Sequence, residues 1–430
     1  MPDLTAELLP KLRAHRLPDL SLGEEFVYPD YLGRSILNLP GSVCQLLGVP
    51  EFGVAPLAAE YLAPLGEGEE APPRVLVILM DALSLQRLQR WLDGGLAPLW
   101  EQLAERGVLA PLTSIVPSTT SAALTSLWTG QPAAVHGIVG YEMWLKEYGL
   151  VANTISHMPM SFMGAPGSLE QAGFEPRKFM PLPTLGEHLQ AHGVSAYAYL
   201  HYTIAGSGLS RMLFDGVEVR SFGTSTELWI NLRQLWEEGA GERLFAWAYL
   251  HPIDYFSHVY GPDDERVVEE FCSFTDIFQR LFLEKLGAAA ARGTVVVLCA
   301  DHGQVATTPD PHYELRNHPN LTRRLHILPT GENRLASLFV RLGQLEAVRE
   351  YLDRTWLRGF TQLDPGFAVQ AGLFGPGEPH PRLLERLGDL LALARGYNYL
   401  WWADRENPLI GRHGGLSAEE MLVPFLAARL

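Results

Sequence analysis

The stretch that most constrains this 430-residue chain is Thr294 to Gln304, reading T-V-V-V-L-C-A-D-H-G-Q. Val295 to Cys299 run without a polar break, Ala300 extends them, and Asp301-His302-Gly303 ends the run abruptly. A short, β-branched apolar run predicts a strand covered on both faces, the environment of a parallel sheet. Sheets of that kind carry their chemistry at the carboxyl ends of the strands. There Asp301 and His302 offer a hard oxygen and a borderline nitrogen to one divalent cation. Alone, an Asp-His-Gly is more often a solvated turn, so its meaning depends on partners elsewhere in the chain.

The same arrangement recurs. Val75 to Met80 is a second apolar run, and it stops at Asp81. Phe245 to Leu250 is a third, followed by Asp254 and His258 four residues apart, with Gly261-Pro262 ending the segment. On a helix that spacing puts both side chains on one face. Late in the chain, Gly411-Arg412-His413-Gly414-Gly415 precedes Ser417 and Glu420, which have capping-box spacing, and a final strand from Leu422 to Leu426. Pro117-Ser118-Thr119-Thr120-Ser121 leads into a small-residue helix over Ala122 to Trp128. Its hydroxyls stand where free backbone N–H groups and the helix dipole favour an anion. Three Asp and three His then make two nearly equivalent sets of oxygen and nitrogen ligands, beside a cluster of hydroxyl nucleophiles.

Composition excludes several alternatives. A hydrophobic content of 47% with 19% charged residues describes a chain that forms a core. The formal charge of -16 argues against a nucleic-acid duplex as partner, because phosphate binding needs positive patches. Three widely spaced cysteines, Cys44, Cys272 and Cys299, read as buried thiols in a reducing compartment. The first residues lack the basic and apolar regions of a signal peptide, and no apolar run reaches the roughly 20 residues of a membrane helix. The expectation is a cytoplasmic protein with no membrane partner; the oligomeric state stays open.

Residues 1–70 read as an N-terminal helical and loop extension, and 71–430 as the catalytic domain. Helices are expected over 185–192, 228–237 and 264–286. Residues 131–177, rich in Gly, Pro and Met, read as a long excursion over the strand ends. Its aromatics Tyr141, Trp144 and Phe162 are candidate substrate contacts, as core packing would equally allow. Residues 330–396 read as a small inserted α+β subdomain, with strands over 335–341, 368–373 and 390–394 and a helix over 345–355.

Taken in order, strand–Asp81, P-S-T-T before a helix, D-x-x-x-H-x-x-G-P, A-D-H-G and a late G-x-H-G-G resemble the alkaline phosphatase superfamily. Within it the chain is most similar to the nucleotide pyrophosphatase/phosphodiesterase branch, over residues 75–426. The resemblance implies an α/β fold, a three-layer sandwich whose central, mostly parallel sheet is flanked by helices. It implies one metal held by Asp254, His258 and His413, and a second held by Asp81, Asp301 and His302. The two divalent ions would be zinc first, with manganese or iron as alternatives. It implies Thr120 as the nucleophile, with Thr119 as its near neighbour, attacking a small-molecule phosphoester in line to give a phospho-threonine that is then hydrolysed. One departure stands out: the branch usually carries Asn three residues after the nucleophile, and here the residue is Ala123. Phosphonate hydrolysis, phosphomonoester hydrolysis and a non-catalytic binding role are the rival expectations. A sulfatase is disfavoured, because residues 119–125 lack the Pro and Arg of its modification motif, and a phosphomutase lacks room for its large insertion.

Overall fold

The computed structural model describes residues 3–66, 73–161 and 164–430. Its central sheet has seven strands, in the spatial order Gly107–Thr113, Leu422–Arg429, Thr294–Cys299, Arg74–Met80, Leu244–Leu250, Ser195–His201 and Glu218–Phe222. Leu422–Arg429 runs antiparallel to both neighbours, and the remaining pairings are parallel. Every residue of Arg74–Met80, Leu244–Leu250 and Thr294–Cys299 is buried. That is why these strands read as continuous apolar runs without alternation: helices cover both faces of the sheet.

Register decides what emerges at the strand ends. Met80 lies opposite Leu250 and Leu79 opposite Cys299, so the residues that follow all leave the sheet along one edge. Asp81 N–H still donates to Leu250 O at 2.9 Å, holding the first turn after its strand close to the next. Helices Ser225–Glu238 and Glu265–Leu281 pack through aromatic rings, with Trp229 and Phe278 centroids 4.5 Å apart. The latter helix stops at Leu281, before the expected end at 286, and a short 3-10 turn over Leu283–Lys285 follows. The N-terminal residues belong to the same core. Helix Thr5–Ala14 buries Leu8 and Leu12, and Leu4 N–H reaches Leu109 O at 2.8 Å on the strand Gly107–Thr113.

A second sheet of seven strands joins Glu142–Leu145, Leu150–Asn153 and Met158–Pro159 to Thr330–Glu332, Leu335–Leu338, Phe360–Leu363 and Leu390–Ala394. The excursion read at 131–177 is therefore partly sheet. Its strands are short and half-exposed, and they owe their conformation to pairing with residues nearly 200 positions away, as Gly331 with Glu142. The strand expected over 368–373 is a helix, Pro365–Gln370. Asp364 caps it, accepting from Phe367 N–H at 2.8 Å, and Pro365 stands in its first turn. These start signals outweigh the apolar run that follows. Behind this sheet a smaller core gathers Leu338, Val348, Leu352, Trp356 and Leu390. Phe162 lies outside the described residues. Among the described residues no helix is long and apolar enough to cross a membrane.

Candidate metal and nucleophile site

Asp81, Asp301 and His302 meet where their two adjacent strands end. All three are buried. Asp301 Oδ1 accepts from Ala82 N–H at 3.2 Å and from His302 N–H at 3.0 Å. Ala82 has φ 61°, a left-handed conformation uncommon outside glycine, and this turns its N–H toward the neighbouring strand's carboxylate. Tyr249 O–H donates to Asp81 Oδ2. Asp81 Oδ1 and Asp301 Oδ2 are left buried with no partner among the described residues. His302 Nε2 lies 3.5 Å from each carboxylate. Burial, together with repulsion from Asp301 and Asp254, holds the Asp81 carboxyl well above the usual carboxylate range. Burial raises Asp301 as well, against the opposing pull of His302. Two buried carboxylates with spare oxygens and one imidazole are a donor set that a divalent cation satisfies.

The second set forms on the helix Pro252–Tyr260 and the loop that carries His413. His258 Nε2 is 3.3 Å from Asp254 Oδ1, and His413 Nε2 is 3.8 Å from the same oxygen. Within each triad the donor atoms lie inside 4.8 Å of one another. The rings of His302 and His413 stack with centroids 4.0 Å apart, so the two sets share one site. Burial, then the neighbouring His302 and His258, pushes the His413 imidazole well below its usual range and keeps it neutral, as a ligand must be.

One regularity argues for metal binding more than proximity does. The Nδ1 atoms of His302, His258 and His413 face the carbonyls of Gly303 at 2.9 Å, Gly411 at 2.8 Å and Ser118 at 3.2 Å. A carbonyl can only accept, so each Nδ1 carries the proton and each Nε2 presents its lone pair inward. A histidine ligand is ordinarily oriented in this way. Gln304 Nε2 similarly donates to Asp254 Oδ1 at 2.8 Å. Gly414 is required by the fold here: its φ is 104°, and a Cβ would lie 2.3 Å from Glu332 Cβ.

Thr120 opens the helix Thr120–Thr129, and its Oγ1 sits 3.1 Å from His302 Nε2. Thr119 is the N-cap but makes no side-chain cap, and the first ladder bond is Ala123 N–H to Thr119 O at 2.9 Å. The N–H groups of Thr120, Ser121 and Ala122 therefore have no helical acceptor and remain for an anion. Ser118 ties this turn to the loop that carries His413, donating to Gly415 O at 2.7 Å and accepting from Gly414 N–H at 3.2 Å. Ala123 is fully buried in the helix and brings no polar atom to the site.

Three participants carry no sequence signal of comparable strength. Tyr249 reads as one more apolar residue of its strand, Gln304 as the residue after a motif, and Glu332 comes from the second sheet. Glu332 accepts from Tyr141 N–H at 2.6 Å, beside Thr119. Tyr141 thus approaches the site through its backbone, its ring being 39% exposed, while Trp144 faces Val151 across the second sheet. Neither lines the cavity beside Thr120.

Burial pushes the Glu332 carboxyl from 4.5 up to about 8, against weaker contributions from Thr119 and Tyr141 N–H. Its folded pKa lies above the unfolded one, so the folded state binds more protons across that window and stability falls as pH rises through it. In the metal-free protein, the Glu332 contribution to stability is expected to fall between pH 4.5 and about 8. Glu332→Gln should flatten that slope; an unchanged slope in urea or thermal unfolding would refute the assignment.

The family model for type I phosphodiesterase / nucleotide pyrophosphatase matches residues 75–415, which takes in all six donor residues and Thr120. No curated protein matches the chain. Among solved structures, murine ectonucleotide pyrophosphatase / phosphodiesterase 5 is similar with a TM-score of 0.59 at 17% identity, covering 82% of this chain and 87% of that one. An inactive threonine-to-alanine form of the murine protein, in complex with AMP, superposes equally well. Phosphonoacetate hydrolase from Sinorhizobium meliloti 1021, in complex with phosphonoformate, is similar with a TM-score of 0.60 at 21% identity, over 84% of this chain and 92% of that one. By the extent of the family match, the chain belongs to the type I phosphodiesterase / nucleotide pyrophosphatase family and is a hydrolase of phosphoester or phosphoanhydride bonds.

Proposed function

We propose that this chain is a two-metal phosphodiesterase in which Thr120 is the nucleophile. The observation that carries the reading is the common orientation of His258, His302 and His413, with Nδ1 on a carbonyl and Nε2 turned inward. Asp81, Asp301 and His302 would hold one divalent ion, and Asp254, His258 and His413 the other. Zinc suits such mixed nitrogen and oxygen sets. When bound, the ions supply charge that stabilises the phosphoryl oxygens in the transition state.

The chain's own residues do the rest. The free N–H groups of Thr120, Ser121 and Ala122 hold the phosphoryl oxygens, a task for which Ala123 offers no side chain. Thr120 Oγ1 forms the new bond to phosphorus while the bond to the leaving oxygen breaks on the opposite side. Water then attacks the phospho-threonine and restores the hydroxyl. Gln304 and Tyr249 hold Asp254 and Asp81 in place. The inactivity of the murine neighbour's threonine-to-alanine form supports a threonine in this role.

The phosphonoacetate hydrolase likeness favours a second reading, cleavage of a C–P bond at the same site. A metal-loaded screen of monoesters, diesters, nucleotide pyrophosphates and phosphonates separates the two. Diester turnover supports the first reading, phosphonate turnover alone the second, and neither would leave a binding role. Asp301→Asn is expected to reduce bound zinc from about two ions per chain to about one, by elemental analysis. Retention of both would contradict the division into two sets.

A further inference from the structure

One cavity beside the nucleophile has no role in the chemistry above. It measures about 160 Å³, and Thr120, Asp81 and Asp254 are among the residues that line it. Leu124, Leu200, Leu213, Phe214 and Trp247 form much of its wall, and all five are buried. No lysine or arginine lines it. Its two serines are already committed: Ser207 Oγ donates to Ser210 Oγ at 2.9 Å, and Ser210 Oγ donates to Ile204 O at 2.9 Å. Asp81 Oδ1, Trp247 Nε1 and His251 Nδ1 are buried atoms of lining residues left without a partner among the described residues.

From this lining we infer that the cavity receives an apolar substituent of the scissile phosphate, a short alkyl chain or one unsubstituted aromatic ring. The preferred substrates are then alkyl or aryl phosphoesters, not nucleotides and not carboxylate-bearing phosphoryl compounds. The inference rests on the phosphodiesterase reading of the site.

Size, polarity and charge agree. An apolar cavity of about 150 Å³ lined by aliphatic and aromatic side chains stays dry and takes up one benzene ring. This one is comparable in volume, most of its wall is aliphatic or aromatic, and it adjoins Thr120, where a group on phosphorus would project. A nucleobase would bring a ring edge with several donors and acceptors against walls made mostly of aliphatic and aromatic side chains. Polar groups buried without partners weaken binding. A carboxylate would enter with no lysine or arginine beside it, against walls made mostly of aliphatic and aromatic side chains, which is unfavourable. An alkyl chain meets none of these obstacles and loses contact with water.

The test uses the full-length, zinc-loaded protein and p-nitrophenyl phosphodiesters whose second substituent grows from methyl to butyl. Phenyl and 5′-thymidyl esters of the same leaving group complete the set. Burial of each methylene is expected to raise kcat/KM about fourfold, and the butyl and phenyl esters should exceed the thymidyl ester. Turnover that ignores chain length, or favours the thymidyl ester, overturns the inference and leaves the phosphodiesterase reading intact. Absence of turnover for every ester overturns the phosphodiesterase reading instead. In that case calorimetry with methylphosphonate and butylphosphonate decides the cavity separately, and equal affinities refute it. Ile204→Trp, at a half-buried wall position, should collapse the butyl-to-methyl preference toward unity. Leu209→Phe serves the same purpose should the first variant fail to fold, and a preserved preference in a folded variant counts against the inference.

Discussion

Thr120→Ala is expected to lower kcat by at least ~1000-fold while leaving the bound metal unchanged, because in the proposed mechanism it removes the atom that would bond to phosphorus and no proposed metal donor. The oxygen lost is the one 3.1 Å from His302 Nε2. The helix N-terminus stays intact, since Thr119 makes no side-chain cap that the change would disturb and the backbone N–H groups do not move. Binding of product phosphate or a phosphonate should therefore survive in the variant. The matching control is Thr119→Ala. Thr119 is buried beside Glu332, so its loss should alter affinity or the pH profile with a much smaller effect on kcat. If turnover persists in Thr120→Ala and vanishes in Thr119→Ala, the nucleophile has been misassigned. If both metals leave with Thr120, the hydroxyl is structural and the mechanism needs another nucleophile.

The largest effect on stability is expected at a pair that performs no chemistry. Arg334 and Glu420 are both fully buried and meet in a two-pronged ion pair, Nε to Oε1 at 2.7 Å and Nη2 to Oε2 at 2.9 Å. Arg334 also donates to Asn398 O at 2.6 Å, while Glu420 accepts from Gly415 N–H at 2.8 Å and Ser417 N–H at 3.1 Å. The pair thus fastens the second sheet to the loop that presents His413. Arg334→Met leaves a carboxylate buried and uncompensated, and the expected loss is about 3–5 kcal/mol in denaturant unfolding. The double variant Arg334→Met/Glu420→Gln removes the stranded charge and should recover part of that loss. If the double variant is no more stable than the single one, burial of an unpaired charge is not the cause. Because the loop carries His413, the single variant should also weaken one metal site more than the other.

Asp81, Asp301 and His302 are legible as candidates because each follows a strand buried on both faces. There the sequence changes from uninterrupted apolar residues to a charged one within a single position. Asp254 and His258 are legible for a different reason, a fixed four-residue spacing on one helical turn. His413 is visible through its flanking glycines, and the structure explains Gly414 by the close approach of Glu332. The structure brings all six positions into two adjacent triads. The second sheet is far less legible. Its strands over Glu142–Leu145 and Leu150–Asn153 are four residues each; the first alternates half-buried with buried positions and the second does not, and runs so short carry little periodic signal. Pro365–Gln370 misleads for a related reason, since a short apolar run fits strand and helix alike and only its cap distinguishes them.

Sequence alone determines the kind of chemistry, because ligand type and the ends of buried strands are local properties of the chain. Tertiary structure alone decides the protonation, the partners and the shape of the site. Which histidine nitrogen faces inward depends on carbonyls such as Ser118 O, nearly 300 residues from the ring of His413. Glu332 is raised because the fold buries its carboxyl beside Thr119 and Tyr141 N–H, and Arg334 and Glu420 matter because the fold buries both fully. The cavity beside Thr120 is of the same kind. Its lining comes from five separate segments, and no segment by itself encodes an apolar space of that size. Pairings across long sequence separations form only when the whole chain closes, and in this protein such pairings bring the walls of the cavity together.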